Sequence, residues 1–342
     1  MNLSGNVIQI KQRFINVLFM FGMLLTPGIH ANSNIVQFRS LFDINESFCA
    51  IKTNGVLGMD NRDSAVFGEG YGTSSTNSML MLENGVNDIT LEIGAMGWFS
   101  KEQLTSEDKN AFSKDASCKL DLVLFKNNER STLTSLEIKI DDKGIPTATE
   151  ASNNDVIKYN KVNAYQVTQG HVPEEYFLIN YYPQGMQLHQ FTKKINVNGL
   201  PKWKWVNATP FVGSPEQMAA LRNAYSDFWK MLATKNNDQL KQYLAVSTSA
   251  WVDTTGESTD DIYNSNTFVE AFKNQGFKMI PINWQDYEVE VMNKNRLVRF
   301  INKSIPVISP LSYELINDDG KKSLGYFSPI FAFVDGKFIP VI

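Results

Sequence analysis

Between residues 45 and 212 the chain is a series of short segments in which apolar and polar residues alternate, separated by Gly, Asn and Asp. This pattern is typical of antiparallel β-structure, because successive side chains of a strand point to opposite faces and turns favour these three residues. Leu120, Leu122 and Leu124, for example, share one face of such a segment. The pattern predicts an antiparallel β domain with one buried face on each strand.

We expect eight strands in this region, namely SFCAIKTN, NSMLMLEN, NDITLEIG, CKLDLVLFKN, STLTSLEIKID, YFLINYY, MQLHQFTKKINV and PKWKWVNATPF. Strands of this number and length favour a two-sheet sandwich or jelly roll. Residues 82–91, LENGVNDITL, contain the pattern G-x-N-x-I and resemble a hairpin strand of galactose-binding jelly-roll sandwiches. The resemblance covers about ten residues. It implies a β-sandwich and carries no ligand with it.

The composition changes after Gly213, where Ser214, Pro215 and Glu216 have the features of a helix start. Apolar residues then recur at three- and four-residue spacing as far as about residue 234, which predicts an amphipathic helix. Two further helices, over 237–244 and 268–275, and five strands, over 287–292, 297–302, 311–317, 326–334 and 338–342, are expected after it. This pattern predicts a small domain in which helices pack on an antiparallel sheet.

This order of three helices followed by strands, with the closing hairpin at Asp335-Gly336, resembles the NTF2-like (cystatin-like cone) superfamily over about 125 residues. The resemblance implies helices on a curved antiparallel sheet. That superfamily includes enzymes and non-catalytic binding modules, so no catalytic residue is carried over. We therefore predict a mainly β plus α+β protein, with an N-terminal β-sandwich over 32–212 and a smaller NTF2-like domain over 213–342.

Residues 1–31 have the features of a signal peptide. Lys11 and Arg13 precede the uncharged run 14–25, which is followed by Pro27, Gly28 and Ala31. A run of twelve residues is too short for a membrane-spanning helix, which needs about 20, and no later stretch is long enough without charges. We expect cleavage after Ala31, a periplasmic or secreted protein and no transmembrane segment in the mature chain. Retention of the leader as an anchor is the alternative.

Cys49 and Cys118 are the two cysteines of the chain. In an exported protein, an even pair of cysteines in the same half of the chain predicts a disulfide. Two buried thiols are the alternative.

The composition argues against several classes of function. The net charge of -4 and the lack of a long basic run argue against a nucleic-acid partner. Three histidines and two cysteines provide little for a metal centre, and we expect neither metal nor cofactor. His171 and His189 are isolated, and no G-x-S-x-G motif is present, so we expect no serine hydrolase. A pair of carboxylates brought together by the fold stays open as an enzyme site.

Trp203 and Trp205 lie two residues apart, which on a strand would place both indoles on one face. Two such indoles can form a stacking surface for a sugar or a hot spot for a protein. They can equally fill the sandwich core or the interface between the domains.

The overall layout, an exported and mildly acidic protein of two β-rich domains, resembles periplasmic immunity proteins, which block a toxin delivered by a neighbouring cell. The resemblance implies a non-catalytic protein that binds a toxin and occludes its active site. We expect the contacts to lie in loop 60–75, which includes Tyr71, and in loop 253–261, which includes Asp253, Asp260 and Asp261, since loops on a rigid scaffold usually carry recognition. The alternatives are a carbohydrate or cell-envelope binding protein that uses the two tryptophans, and an envelope hydrolase with a cone-shaped cleft in the C-terminal domain.

Overall fold

The computed structural model describes residues 36–127, 129–149, 156–173 and 182–342. The predicted leader and its cleavage position lie outside these residues, as does most of the expected strand YFLINYY. Below, the N-terminal half denotes the described residues up to 212 and the C-terminal half denotes residues 213–342.

The N-terminal half consists of two five-stranded antiparallel sheets with the orders β4-β1-β6-β7-β8 and β3-β2-β5-β10-β9. The strands are β1 (Gln37–Asn45), β2 (Ser47–Thr53), β3 (Val56–Asp60), β4 (Gly72–Asn77), β5 (Gly85–Ala95), β6 (Ser117–Lys126), β7 (Glu129–Ile140), β8 (Pro146–Thr149), β9 (Ile157–Asn163) and β10 (Gln187–Val197). Two short helices, α1 (Arg62–Val66) and α2 (Ser106–Asn110), lie in the connections. The predicted antiparallel β-sandwich is confirmed.

Alternating residues of both sheets meet in the core of the sandwich. Leu120 and Leu122 from β6 and Leu91 and Ile93 from β5 belong to one buried cluster and are fully inaccessible. Burial of such side chains contributes roughly 1.5–3 kcal/mol each. The same cluster contains the predicted disulfide, which joins Cys49 on β2 to Cys118 on β6. Because β2 and β6 belong to different sheets, the disulfide ties the two layers of the sandwich together.

The C-terminal half has helices packed on antiparallel sheets, as predicted. Its helices are α3 (Pro215–Ala233), α4 (Asn237–Tyr243), α5 (Ala245–Thr255), α6 (Thr259–Asn264) and α7 (Thr267–Ala271). Its strands are β11 (Lys278–Met279), β12 (Tyr287–Met292), β13 (Leu297–Asn302), β14 (Leu311–Ile316), β15 (Lys322–Phe327), β16 (Phe331–Val334) and β17 (Lys337–Pro340), in the orders β11-β14-β15 and β12-β13-β16-β17. The side chain of Ser214 accepts the Gln217 amide hydrogen, which caps α3 at the predicted position.

Aromatic side chains fill the space between α3 and the sheets. The ring of Tyr225 lies 5.2 Å from that of Phe300 and 4.8 Å from that of Phe331, measured between centroids. Phe228 contacts Phe327 at 5.5 Å, and it is fully buried. These rings occupy the space between α3 and the sheets.

Several segments differ from the predicted elements, and the expected loop 60–75 contains α1 and the first residues of β4. Residues 79–81 and 204–207 form 3-10 turns instead of strands, because they pack against each other through buried side chains rather than pairing in a sheet. The expected loop 253–261 is mostly helical. Gly256 (φ 77°) ends α5 and the Ser258 side chain caps α6, so the small and polar residues that suggested a loop are helix ends.

The two halves share a buried core. Met292, Leu297, Ile330 and Val341 of the C-terminal half belong to the same cluster as the sandwich interior. Charged contacts reinforce this joint, since Arg296 donates two hydrogen bonds to the Glu83 carboxylate at 2.9 and 2.7 Å. The interface between the two halves is apolar at its centre. The division of the chain into two domains at residue 212 stays a prediction.

Candidate functional site

The most exposed aromatic pair of the described residues lies on the connection between α1 and β4. Phe67 is 76% exposed and Tyr71 is 57% exposed. We call residues 67–71 the aromatic loop. It begins where α1 ends, with the Phe67 amide donating to the Ser64 carbonyl oxygen and with Gly68 in the left-handed region at φ 87°.

The backbone of the aromatic loop is closely packed although its side chains are exposed. The Ser47 amide donates to the Gly70 carbonyl oxygen at 3.1 Å, and a Cβ atom at Gly70 would lie 2.7 Å from the Ser47 nitrogen. Only glycine allows this approach. The Tyr71 hydroxyl donates to Glu46 Oε1 at 3.2 Å, and this hydrogen bond raises the pKa of Tyr71 above its ordinary value. The loop therefore presents both rings to solvent on a backbone fixed at Gly70, and Glu46 also orients the Tyr71 ring.

A buried ion pair fixes the helix from which the loop starts. Arg62 Nη2 lies 3.4 Å from Asp60 Oδ2, and both side chains are about nine-tenths buried. The Arg62 guanidinium also lies 4.8 Å from the ring centroid of Tyr182. Burial raises the pKa of Asp60, with Arg62 acting in the opposite direction. These residues position α1 and do not reach the surface themselves.

The loop continues directly into β4, an edge strand of the first sheet. Thr73 and Ser74 of β4 are exposed. At the far end of β4, Asn77 Nδ2 donates to Thr254 Oγ1 at 2.8 Å, and Gln37 Nε2 donates to the Thr255 carbonyl oxygen at 3.3 Å. The C-terminal end of α5 is thus attached beside the end of this strand.

The structure therefore brings parts of the two predicted loops to opposite ends of one edge strand. Tyr71 lies at the Gly72 end of β4, and the exposed Asp253, next to Thr254, lies at the Asn77 end. Six residues of strand separate these ends, a distance of about 20 Å. We call residues 67–77 together with 253–257 the recognition edge.

Asp260 and Asp261, the other two predicted contact residues, have local roles in α6. Asp260 forms an ion pair with Lys241 at 2.8 Å. Asp261 accepts a hydrogen bond from the Ser258 hydroxyl at 2.6 Å, and its amide donates back to Ser258 Oγ, which is a reciprocal cap of the helix start. Both side chains are thus engaged within the helical region around α6.

Trp203 and Trp205 are buried, with 6% and 1% of their surface exposed. Each indole N–H donates to a backbone carbonyl oxygen, that of Trp203 to Leu82 at 3.0 Å and that of Trp205 to Leu80 at 3.2 Å. Trp205 also lies under the Arg296 guanidinium at 5.2 Å from its ring centroid. Neither indole has a free face for a sugar or a partner, and the packing alternative is the one that this environment supports.

His171 and His189, the histidines of the described residues, bind different partners and do not form a shared site. His189 Nδ1 lies 3.0 Å from the Tyr159 hydroxyl, and burial lowers the pKa of His189 to about 4, with Lys161 adding to the effect. His189 is thus neutral at pH 7. His171 Nδ1 lies 2.9 Å from Asp286 Oδ1 and helps to attach the segment after β9 to the C-terminal half. In the described part of the chain, no three His, Cys, Asp or Glu side chains are grouped to hold a metal ion.

Sequence reasoning named the region 60–75 and Tyr71 but not Phe67. The sequence signal that could have identified Phe67 is an aromatic residue directly before the Gly-Glu-Gly stretch of a predicted loop. Comparison of the chain with protein-family models, with curated proteins and with solved structures finds no match. Among the described residues, none of the helices has the length and apolar character needed to cross a bilayer.

Proposed function

We propose that this protein is an exported, non-catalytic inhibitor of the immunity type, which binds an antibacterial protein toxin with its recognition edge. The observation that carries the proposal is the exposure of Phe67 and Tyr71 on a backbone closely packed at Gly70. Aromatic side chains have few rotatable bonds, so they lose little entropy on binding, and they are enriched at protein interfaces.

Inhibition of this kind acts by occlusion and needs no reacting group on the inhibitor. A stable complex buries about 1,600 Å² in total, which is more than the aromatic loop alone offers. The loop, β4 and the end of α5 together form a surface of suitable length. Carboxylates flank both aromatic residues, with Glu46 bound to Tyr71 and Glu69 exposed between the rings. Such a surface favours a partner with a basic patch around its active site.

Two features support export. The predicted signal peptide would direct the chain across the membrane, and the Cys49–Cys118 disulfide is compatible with an oxidising compartment. The carbohydrate-binding alternative depended on the indoles of Trp203 and Trp205, and both indoles are buried. The hydrolase alternative stays an untested prediction, and the exposed aromatic residues favour the inhibitor over it.

Affinity capture tests the proposal. Tagged protein is exposed to whole-cell extracts that contain envelope material, and bound proteins are identified by mass spectrometry. The test variant combines Phe67→Ser with Tyr71→Ser. The control is Val212→Ser, which removes a side chain of equal exposure (77%) elsewhere on the molecule.

We expect wild type and the control to retain one protein in near-stoichiometric amount at high salt, and the double variant to retain at least tenfold less. The captured protein should inhibit growth when it is directed to the periplasm, and co-expression of the wild-type inhibitor should restore growth. Equal capture by the double variant, or retention on glycan without any protein partner, would contradict the proposal.

A further inference from the structure

The outer side of β4 is an unpaired strand edge. β4 pairs with β1 on one side, and within the described residues no strand pairs with it on the other. The Ser78 amide, just after β4, donates to the Phe38 carbonyl oxygen of β1. Antiparallel pairing alternates from there, so the backbone groups of Ser74 and Thr76 face β1 and those of Thr73 and Ser75 face outward.

The other edges of the sandwich are protected against strand addition, and β4 is not. β8 has four residues and begins with Pro146. β9 carries the exposed Lys158 and Lys161. β3 is interrupted by a register shift at Gly58. Proline, lysine, bulges and short length are the usual protections of an edge. β4, with the sequence GTSSTN, has six regularly paired residues and none of these features.

The charges around β4 define the segment that would pair with it. Asp43, Glu46 and Glu69 lie near its Gly72 end, and Asp253 lies at its Asn77 end. The positive charges on this face are Arg39, whose guanidinium donates to Ser75 Oγ at 2.7 Å, and Lys119 of β6, which lies opposite Asp43 and forms an ion pair with Asp121. The carboxylates still outnumber the cations, and this excess of negative charge favours a cationic segment.

We propose that the outer side of β4 binds an extended, positively charged segment of the partner protein, which adds a strand to the first sheet beside the aromatic loop. Main-chain hydrogen bonds to Thr73 and Ser75 would provide affinity, and the flanking carboxylates would select the charge of the segment. This proposal rests on the proposed inhibitor function and specifies how the toxin is held.

A synthetic decapeptide of alternating valine and lysine tests strand addition without the toxin. Its control is the decapeptide of alternating valine and glutamate. Amide hydrogen exchange of the wild-type protein is followed residue by residue. The valine–lysine peptide should slow exchange at Thr73 and Ser75 at least tenfold and change Ser74 and Thr76 little, since these already pair with β1. Unchanged exchange at Thr73 and Ser75, or equal protection by the glutamate peptide, would overturn the proposal.

Thr73→Pro removes one outward-facing N–H from β4 and leaves the pairing with β1 intact. The matched control is Ala148→Pro on β8, at the other edge of the same sheet. The Asp141 amide donates to the Ile145 carbonyl oxygen, so by the same alternation the Ala148 amide also faces outward. We expect Thr73→Pro to weaken binding of the valine–lysine peptide at least tenfold and Ala148→Pro to leave it unchanged.

The two proposals fail in different ways. Capture that depends on Phe67 and Tyr71 but not on Thr73→Pro would keep the inhibitor proposal and overturn strand addition. Peptide protection at Thr73 and Ser75 with no captured protein would support strand binding by β4 and overturn the inhibitor proposal. Melting curves of both proline variants identify any loss of folding, and the exchange experiment on wild type does not depend on them.

Discussion

Two aromatic pairs of the N-terminal half have opposite environments. Phe67 and Tyr71 are mostly exposed, whereas Trp203 and Trp205 are buried. In the sequence the tryptophans, which alternate with lysines, are the better match to a ligand-binding platform. The difference lies in what surrounds them. The 3-10 turn at 79–81 and the residue after it offer carbonyl oxygens to the indole N–H groups, while the aromatic loop has a hydrogen-bond partner only for the Tyr71 hydroxyl.

The buried pair belongs to the joint between the two halves of the molecule. Arg296, from the C-terminal half, covers Trp205 and binds Glu83 of the sandwich. The exposed pair belongs to the recognition edge and has no such partner in the described residues. Substitutions in the first pair should therefore affect stability, and substitutions in the second should affect binding.

The largest effect is expected from Trp205→Ala. Removing a buried indole leaves a cavity between the sandwich and the C-terminal half and should lower the free energy of unfolding by about 3–5 kcal/mol. Urea denaturation followed by circular dichroism measures this loss. Tyr71→Ala serves as the comparison and should change the same quantity by less than about 0.5 kcal/mol. If both variants lost a similar free energy of unfolding, the tryptophan pair would be no more important for stability than the exposed pair.

Glu83→Gln should have the next largest effect. It leaves the Arg296 guanidinium, whose side chain is 12% exposed, without its carboxylate partner. Breaking a buried ion pair in this way costs about 3 kcal/mol, again measured by urea denaturation. Glu46→Gln, which alters the carboxylate beside the exposed Tyr71, is the matched control and should cost well under 1 kcal/mol. If Glu83→Gln lowers the free energy of unfolding no more than Glu46→Gln does, the Arg296–Glu83 ion pair does not stabilise the contact between the two halves.

The pH dependence of stability should report on the Glu83 carboxylate. Burial by itself would raise the pKa of Glu83, but hydrogen bonds from Arg296 and Lys294 hold it below its ordinary value of 4.5. Stability from this group is complete above pH 4.5 and is lost as the pH falls through the lowered folded-state pKa. The stability difference between wild type and Glu83→Gln should therefore shrink below pH 4.5. A constant difference from pH 7 to pH 3 would refute this assignment.

The smallest expected effect on stability belongs to Phe67→Ser. Its ring is 76% exposed, so its loss should change the free energy of unfolding by no more than about 0.5 kcal/mol. The same change, alone, should reduce partner capture several-fold, since exposed aromatic residues at interface centres dominate binding energy. Calorimetry of the variant beside the capture assay separates the two effects. A marked fall in melting temperature would place Phe67 with the buried pair instead.

Much of the fold followed from local patterns. Alternation at Leu120 and Leu122 predicted a sandwich strand, and Ser214 with Pro215 predicted the start of α3, since both signals depend on neighbouring residues alone. β1, β3, β4, β8 and β9 were not predicted. β4, with the sequence GTSSTN, has no apolar face that would predict a strand. It is a strand because its backbone pairs with β1. The sequence predicted a strand at 204–207, because the spacing of Trp203 and Trp205 would place both on one face of an extended backbone. The structure has a 3-10 turn there instead.

The candidate site shows the same division. The sequence pointed to Tyr71 and Asp253 as residues of polar connections, without a reason for them to lie on one surface. Their common surface arises because β4 spans the distance between them and Asn77 attaches the end of α5.

The sequence by itself determined the β-rich class, the two-part order of elements, the pairing of Cys49 with Cys118 and the helix that begins at Pro215. Each depends on periodicity, capping or the count of one residue type, which neighbours in the chain decide. Only the tertiary structure decided which aromatic residues are buried and which strand has a free edge. Burial depends on partners that can be more than a hundred residues away, as Leu80 is from Trp205, and the free edge of β4 depends on its pairing with β1 in the folded sheet. No local pattern contains that information.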